Sequence, residues 1–382
     1  MRRKKVCFVG YGSTEYSRKS EAAALSFYAD AIRDALKQTG LDKKEIRGFS
    51  ITTQASPDYS PHVAEQLGLE VDWVLNGDYG GAGGVMSVRR AADAIECGHM
   101  DVAVLVGGNS FDRSTPTQRQ LEYQRGNFVD VFGYGGPNSL MALIQRLHME
   151  QYGTTLEQIG KIAIAQRDNA LNNPQALFRE PMTMQDYLNS RMISDPIRLF
   201  DCVMPCSGAE CIVLASEERA KQITDKLVYL VTDAEISHYQ VANMLPDKTT
   251  FGQKIVGERI FSEVKHEDID LVEIYDDYPI AVMIQIEDLG FCKKGEGGKF
   301  VSDGNLISGV GKLPFNTDGG GLCSNHPVNR GGMTKILEAV RQLRGEAHPK
   351  VQVPNCDLAI AHGTGGLLGV RHGASTCILE RA

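Results

Sequence analysis

The chain has 382 residues, of which 42% are hydrophobic and 23% charged, with a formal net charge of -8. That length exceeds one ordinary domain, and the composition is that of a globular α/β protein, which excludes a disordered or fibrous chain. The acidic balance argues against broad binding to nucleic acid or anionic membrane, which draws on clustered Lys and Arg, and leaves room only for local phosphate-binding patches.

Met1-Arg2-Arg3-Lys4-Lys5 has the basic character of an export-signal start, but the apolar stretch from Val6 to Val9 is too short for the segment that should follow. It reads instead as the first strand of a cytoplasmic protein. In chain order, periodicity predicts a strand over 5–9, a helix over 21–39, a strand over 48–53, a helix over 83–97 and a strand over 101–106. The second half repeats that βαβ alternation: strand 227–232, helix 251–263, strand 270–274, helix 332–343 and strand 357–361. Local text repeats as well, 44–51 matching 266–273 in pattern and 100–105 matching 356–361. A duplication at so long a period implies two similar α/β domains packed as a pseudo-dimer, 1–225 and 226–382. The loop-rich, helical text over about 110–205 is expected to be an insertion on the first half that shapes a substrate pocket.

Nine cysteines, an odd count, predict reduced thiols. Cys202, Cys206 and Cys211 cluster without a CxxC pair and with no histidine within twenty residues, so no metal site is expected.

Four segments place glycine beside polar groups where strands and helices end. Asn76-Gly77-Asp78-Tyr79-Gly80-Gly81-Ala82-Gly83-Gly84 opens a helix; it offers free N–H groups to an oxyanion or phosphate, or else is a close-packed turn, and it fits neither nucleotide-binding glycine pattern. Glu273-Ile274-Tyr275-Asp276-Asp277-Tyr278-Pro279 is a polar burst after an apolar strand, read alone as a solvated turn and alternatively as a proton-transfer site. A glycine-rich loop, Asn316 to Pro327, carries Cys323 and His326; His326 can exchange protons near neutral pH or simply cap a helix. His362-Gly363-Thr364-Gly365-Gly366 follows the last core strand.

These segments, with Asn172-Asn173-Pro174, Tyr187-Leu188-Asn189-Ser190-Arg191 and the run from Pro196 to Cys202, resemble the thiolase superfamily over nearly the whole chain. The resemblance is to the sterol-carrier-protein-x-like branch and the thiolase-like aldolases of steroid side-chain degradation. It implies a thiolase fold, α/β with two similar βαβαβαββ halves in five αβαβα layers. The family's nucleophile motif Cys-Ala-Ser-Gly falls on Gly81-Ala82-Gly83-Gly84, so glycine stands in the cysteine's place. Its Gly-His-Pro motif falls on Asn325-His326-Pro327 and keeps the histidine; its His-Asp-Cys-Phe motif falls on Tyr275-Asp276-Asp277-Tyr278. The Cys-x-Gly-Gly segment of biosynthetic thiolases falls around Ala361 and His362, so the second cysteine is missing too.

Glycine cannot perform covalent thiolysis. The related aldolases likewise lack the cysteine and carry Tyr-Gly-Gly and Tyr-Asp, as Tyr79-Gly80-Gly81 and Tyr275-Asp276 do here, although they have a tyrosine at the place of His326. The expected chemistry is retro-aldol cleavage of a 3-hydroxyacyl-CoA through an enolate, with Tyr275 and His326 as catalytic groups and either one as the base. Gly81, Ala82, Asp276, Asn325, His362, Gly363 and Gly365 are expected around the oxyanion or substrate pocket, with Cys323 as an alternative nucleophile. The competing readings are a thiolase in which free CoA attacks a 3-oxoacyl-CoA directly, and a non-catalytic acyl-CoA-binding subunit. The resemblance further implies coenzyme A as part of the substrate with no other bound cofactor, a homodimer through the first half, and a small partner protein of zinc-ribbon and OB-fold type.

Overall fold

The computed structural model describes residues 5–52, 59–77, 79–111, 136–237, 247–306, 311, 313–327, 332–365, 371 and 373–382. Asp78, Gly366 and positions 112–135 of the expected insertion lie outside them.

The strands read as near-continuous apolar runs because both of their faces are buried. In β1 (Val6–Ser13), Cys7 and Val9 face one apolar layer while Val6 and Phe8 face another. β4 (Val102–Asn109) divides in the same way, Val102, Val104 and Val106 against Ala103 and Leu105. In β10 (Leu358–Gly365), Ala359 and Ala361 join the layer of Val6 and Phe8, while Leu358 and Ile360 face a third. The shared middle layer holds two helices, α3 (Gly83–Glu96) and Gly332–Leu343, which pack on each other and on strands of both halves.

Strand order makes the duplication visible. One side runs β3 (Trp73–Asn76), β2 (Gly48–Thr52), β4, β7 (Gly208–Ser216), β1; the other runs β8 (Val228–Ile236), β11 (Gly373–Arg381), β10, β9 (Leu271–Ile274), and the short β5 (Met192–Ser194) and β6 (Ile197–Arg198) pair apart from both. The two sides meet where β1 and β8 pair at Cys7 with Tyr229 and Phe8 with Val228. Past β9, Phe315 pairs in parallel with Val272, in the place that β3 takes beside β2. Helices α1 (Ala24–Thr39) and α2 (Ser60–Gln66) cover the outer face of the first side, and the helices Gln253–Ile260 and Pro279–Asp288 cover that of the second. The result is five αβαβα layers. Helices at 137–152 and 156–170 join the third apolar layer through Leu140, Ile144, Ile159 and Ile162, so residues from the expected insertion lie over the second side. Among the described residues no helix is long and apolar enough to cross a membrane.

The predicted helix 332–343 coincides with the observed one, and 83–97 ends one residue beyond Glu96. The antiparallel strands β7 and β11 go unpredicted. Their text is diluted by Glu210, Ser375 and Thr376, polar groups that are nonetheless buried.

Layer spacing is set in part by glycine. A Cβ on Gly12 of β1 would fall 2.5 Å from the backbone nitrogen of Ala35 in α1. Gly12→Ala is therefore expected to lower unfolding free energy by ~1–3 kcal/mol through overpacking, measured as a reduced urea midpoint at unchanged slope.

Candidate active site

The site forms where the end of β9, the glycine loop at 316–326 and the turn before α3 converge. Asn316, at a left-handed φ of 41°, turns its amide back onto β9: Oδ1 accepts from the Ile274 N–H at 2.9 Å and Nδ2 donates to the Ile274 carbonyl at 3.0 Å. The next residue, Tyr275, donates its N–H to the His362 carbonyl at 3.0 Å, and its own carbonyl accepts from Gln285 Nε2 at 2.6 Å. The backbone of Tyr275 is thereby fixed on both sides.

That ring lies directly over Gly81. A Cβ built there would overlap ring carbons Cε1 and Cζ and stand 2.5 Å from Cδ1. The phenol oxygen is 2.9 Å from His326 Nε2, and both residues are buried, 3% and 5% exposed. His326 is held through its backbone: its carbonyl accepts from the Cys206 N–H at 3.2 Å, just before β7. Its Nδ1 has no hydrogen-bond partner among the described residues.

Burial dominates the electrostatics. It raises the phenol of Tyr275 well above the ordinary tyrosine value; the negative charge of Asp277 adds to this, and the positive charge of Arg371 opposes it. Burial also holds His326 below its ordinary value, with Asp277 and Asp276 working the other way and Lys335 and Arg371 reinforcing it. Both members of the pair are neutral near pH 7, so one proton is shared along the bond between them.

Asp276 is occupied with the loop. Its carboxylate accepts from the Gly321 and Leu322 N–H groups at 2.9 and 3.1 Å and from Gln166, and pairs with buried Lys335 at 3.2 Å. Asp318 accepts from the Gly320 N–H at 2.7 Å, and burial lifts its carboxyl to about 6. The N–H groups of Gly320, Gly321 and Leu322 are thus held by carboxylates. Asn173, in one of the stretches that carry the family resemblance, donates to Asp318 O and Ser324 Oγ, both at 3.0 Å, tying that stretch to the same loop.

The other expected residues separate by strand face. Gly363 and Gly365 lie on the side of β10 that meets the turn: a Cβ on Gly363 would be 2.8 Å from Ala82 Cα, and one on Gly365 would be 3.0 Å from the Gly81 nitrogen. The turn at Gly81–Ala82 is accordingly close-packed. His362 alternates to the opposite face with Thr364, its Nδ1 2.7 Å from Thr376 Oγ1 and burial pushing it down to about 3. Asn325 accepts from Thr334 Oγ1 at 3.3 Å beside His326. Cys323 points into a separate apolar cluster with Ala163, Ala170 and Tyr187; Arg167 Nε donates to its sulfur at 3.4 Å, and burial raises the thiol to about 11. The structure brings Tyr275, His326 and Gly81 together and sets Cys323 apart.

Sequence reasoning missed Arg371, which pairs with Asp277 and lies 5.5 Å from the centre of the Tyr275 ring, and Lys335. Arg371 stands five residues past Gly366, with no pattern to mark it. Lys335 belongs to a polar helix face, Thr334, Lys335, Glu338 and Gln342, that reads as a solvated surface and is wholly buried.

A family model described as thiolase C-terminal domain-like matches residues 234–381. A steroid side-chain-cleaving aldolase of Thermomonospora curvata is 31% identical over 360 residues, covering 88% of this chain and 89% of that one. An acetyl-CoA acetyltransferase of Methanothermobacter thermautotrophicus is 29% identical over 374 residues, covering 95% and 97%. Among solved structures, the Ltp2-ChsH2(DUF35) aldolase superposes with a TM-score of 0.89 at 29% identity, covering 99% of this chain and 98% of that one.

The overlap at Gly81 has a mechanical consequence. Gly81→Ala is expected to cost ~1–3 kcal/mol of stability by overpacking, and Tyr275→Ala in the same chain to recover most of it. Denaturant melts of the two single variants and the double variant measure that coupling; additive losses would mean that ring and glycine do not share the space.

Proposed function

The chain belongs to the thiolase superfamily, and from that premise we propose that it is an aldolase-type lyase which cleaves a 3-hydroxyacyl-CoA without a covalent intermediate. The observation that carries this reading is the Tyr275 ring over Gly81, hydrogen-bonded to His326. Where a thiolase nucleophile would stand there is a proton-transfer pair instead.

The steps follow from the chemistry of that pair. The phenol oxygen takes the proton of the C3 hydroxyl as its own proton passes to His326 Nε2. The C2–C3 bond breaks, its electron pair moves into the thioester as an enolate, and C3 leaves as a carbonyl. The imidazolium proton returns through Tyr275 to C2, giving the shortened acyl-CoA and restoring the neutral pair. While it carries that proton, His326 is a charged donor for the enolate oxygen, with Asn325 beside it. Gly81, Ala82, Gly363 and Gly365 supply a surface without side chains against which the thioester can lie, Asp276 holds the loop, and His362 supports β10 from behind. No group beyond these side chains and the CoA thioester is called upon.

The aldolase relative acts on a steroid side chain, so 3-hydroxyacyl-CoA esters with a bulky cyclic acyl group are the first substrates to try. Cleavage to a carbonyl compound and acyl-CoA in the absence of free CoA is the expected result; product formation only from a 3-oxoacyl-CoA, and only with added CoA, would replace the lyase by an acyltransferase. Tyr275→Phe and His326→Gln are each expected to lower kcat by ~10²–10⁴-fold. Because the working pair is neutral, the rate should hold level through neutrality and fall only below the ordinary histidine value of 6.5; an acid loss centred above that value would contradict the assignment.

The partners and place in the cell follow the same reading. Among the described residues β3 ends the sheet, with Val74 40% exposed and Tyr59 51% exposed nearby, an edge suited to pairing with a second copy through the first half, 1–225, while 226–382 forms the other half of the pseudo-dimer. The solved Ltp2-ChsH2(DUF35) aldolase, which joins two components, supports a partner protein here, proposed to be of small zinc-ribbon and OB-fold type; the enzyme is proposed to be cytoplasmic. Val74→Lys is expected to weaken self-association at least about tenfold, or ~1.4 kcal/mol, read by sedimentation equilibrium.

A further inference from the structure

The mechanism leaves one buried cation unexplained. Arg371 is 4% exposed and forms an ion pair with Asp277, itself 7% exposed. Its Nη1 donates to the Thr364 carbonyl at 3.2 Å, on the strand that carries Gly363 and Gly365. Its guanidinium carbon lies 5.5 Å from the centre of the Tyr275 ring. Arg371 Nε and Asp277 Oδ1 have no hydrogen-bond partner among the described residues, so the pair satisfies itself only in part and leaves polar atoms around the phenol.

A buried ion pair is a poor stabilising device, since removing two charges from water costs about as much as their attraction returns. Its position accounts for it better. Around the Tyr275 phenol stand His326 from the glycine loop, Asp276 and Asp277 from its own turn, Lys335 beyond Asp276, and Arg371. Of the two cations, only Arg371 faces the ring itself. A phenol that gives up its proton in a site closed to water develops negative charge on oxygen, and a fixed guanidinium at that distance meets the charge with little reorganisation. Asp277 fixes the guanidinium and, being negative, moderates its field.

We propose that Arg371 is a positioning residue for the reaction: held by Asp277 and the Thr364 carbonyl, it stabilises the phenolate character that Tyr275 acquires each time a proton passes between the substrate hydroxyl, the phenol and His326. This rests on the acid–base reading of Tyr275 given above. The consequence is a division of labour: His326 stores the proton, and Arg371 makes it possible for Tyr275 to let it go. Arg371 is charged throughout, and no bond to it forms or breaks.

The test compares Arg371→Gln, Arg371→Lys and Asp277→Asn, each checked for folding by circular dichroism, on a 3-hydroxyacyl-CoA that the unaltered chain cleaves. Arg371→Gln is expected to lower kcat about 100-fold, the scale of losing one preorganised electrostatic contact, with KM within about threefold; Arg371→Lys, which keeps the charge, should recover part of the rate. In the Arg371→Gln background, replacing Tyr275 by a fluorinated tyrosine with a more acidic phenol should restore turnover, an effect that a merely structural role would not produce. Unaltered kcat, a loss confined to KM, or no rescue by the acidic phenol would overturn the inference. If Tyr275→Phe itself keeps full activity, the acid–base reading falls first. A second measurement needs no substrate: the His326 ring signal, identified by its loss in His326→Gln, should titrate at higher pH in Arg371→Gln or Arg371→Lys than in Asp277→Asn. Coincident titrations in all of these would show that the charge pair does not reach the catalytic bond, and would sink the proposal even if Arg371→Gln fails to fold.

Discussion

A single exclusion of volume organises this site: the Tyr275 ring and any side chain at position 81 cannot occupy the same space. A thiolase-type enzyme needs that space for a nucleophile. Here it holds an aromatic ring whose oxygen lies 2.9 Å from the histidine that would otherwise serve the nucleophile. The glycine and the tyrosine, one in the turn before α3 and the other just past β9, are one change seen from two segments. The tyrosine is accommodated only because position 81 is glycine, and on the proposed reading the two together exchange covalent catalysis for proton transfer.

Holding the ring there requires a rigid frame, and the frame is electrostatic. Asp276 gathers two loop N–H groups, Gln166 and Lys335, while Asp318 takes another N–H group, so the glycine loop is stretched over buried carboxylates. The same burial excludes water from Tyr275 and His326 and keeps both neutral. Neutrality is what a proton-sharing pair needs, because a charged imidazole could not accept and a bare phenolate could not donate. The buried cluster therefore holds the loop in place, while burial itself keeps Tyr275 and His326 neutral.

Much of this was legible in the text of the chain. The repeated βαβ pattern led to two similar halves because strands buried on both faces leave unbroken apolar runs, as in Val6 to Val9 and Val102 to Val106. Tyr275 and His326 are visible because each lies in a recognisable segment. What the text hid was burial of polar residues. The segment from Glu273 to Tyr278 reads in isolation as a solvated turn and is buried throughout; the face of Thr334, Lys335, Glu338 and Gln342 reads as a surface and is the wall of the acidic cluster. Periodicity reports which residues share a face and is silent on whether that face meets water or another set of charges. His362 shows the reverse: its neighbours Gly363 and Gly365 meet the site, and strand alternation turns it away.

The central claim is that the bond is broken without the chain ever carrying the acyl group. The most direct measurement is the intact mass of the protein, quenched in acid while it turns over a 3-hydroxyacyl-CoA. The mass of the unmodified chain, alongside accumulating carbonyl and acyl-CoA products, is the expected result. A fraction of the chain heavier by the acyl group, formed and lost at the rate of turnover and mapped to Cys323 or any other side chain, would contradict it.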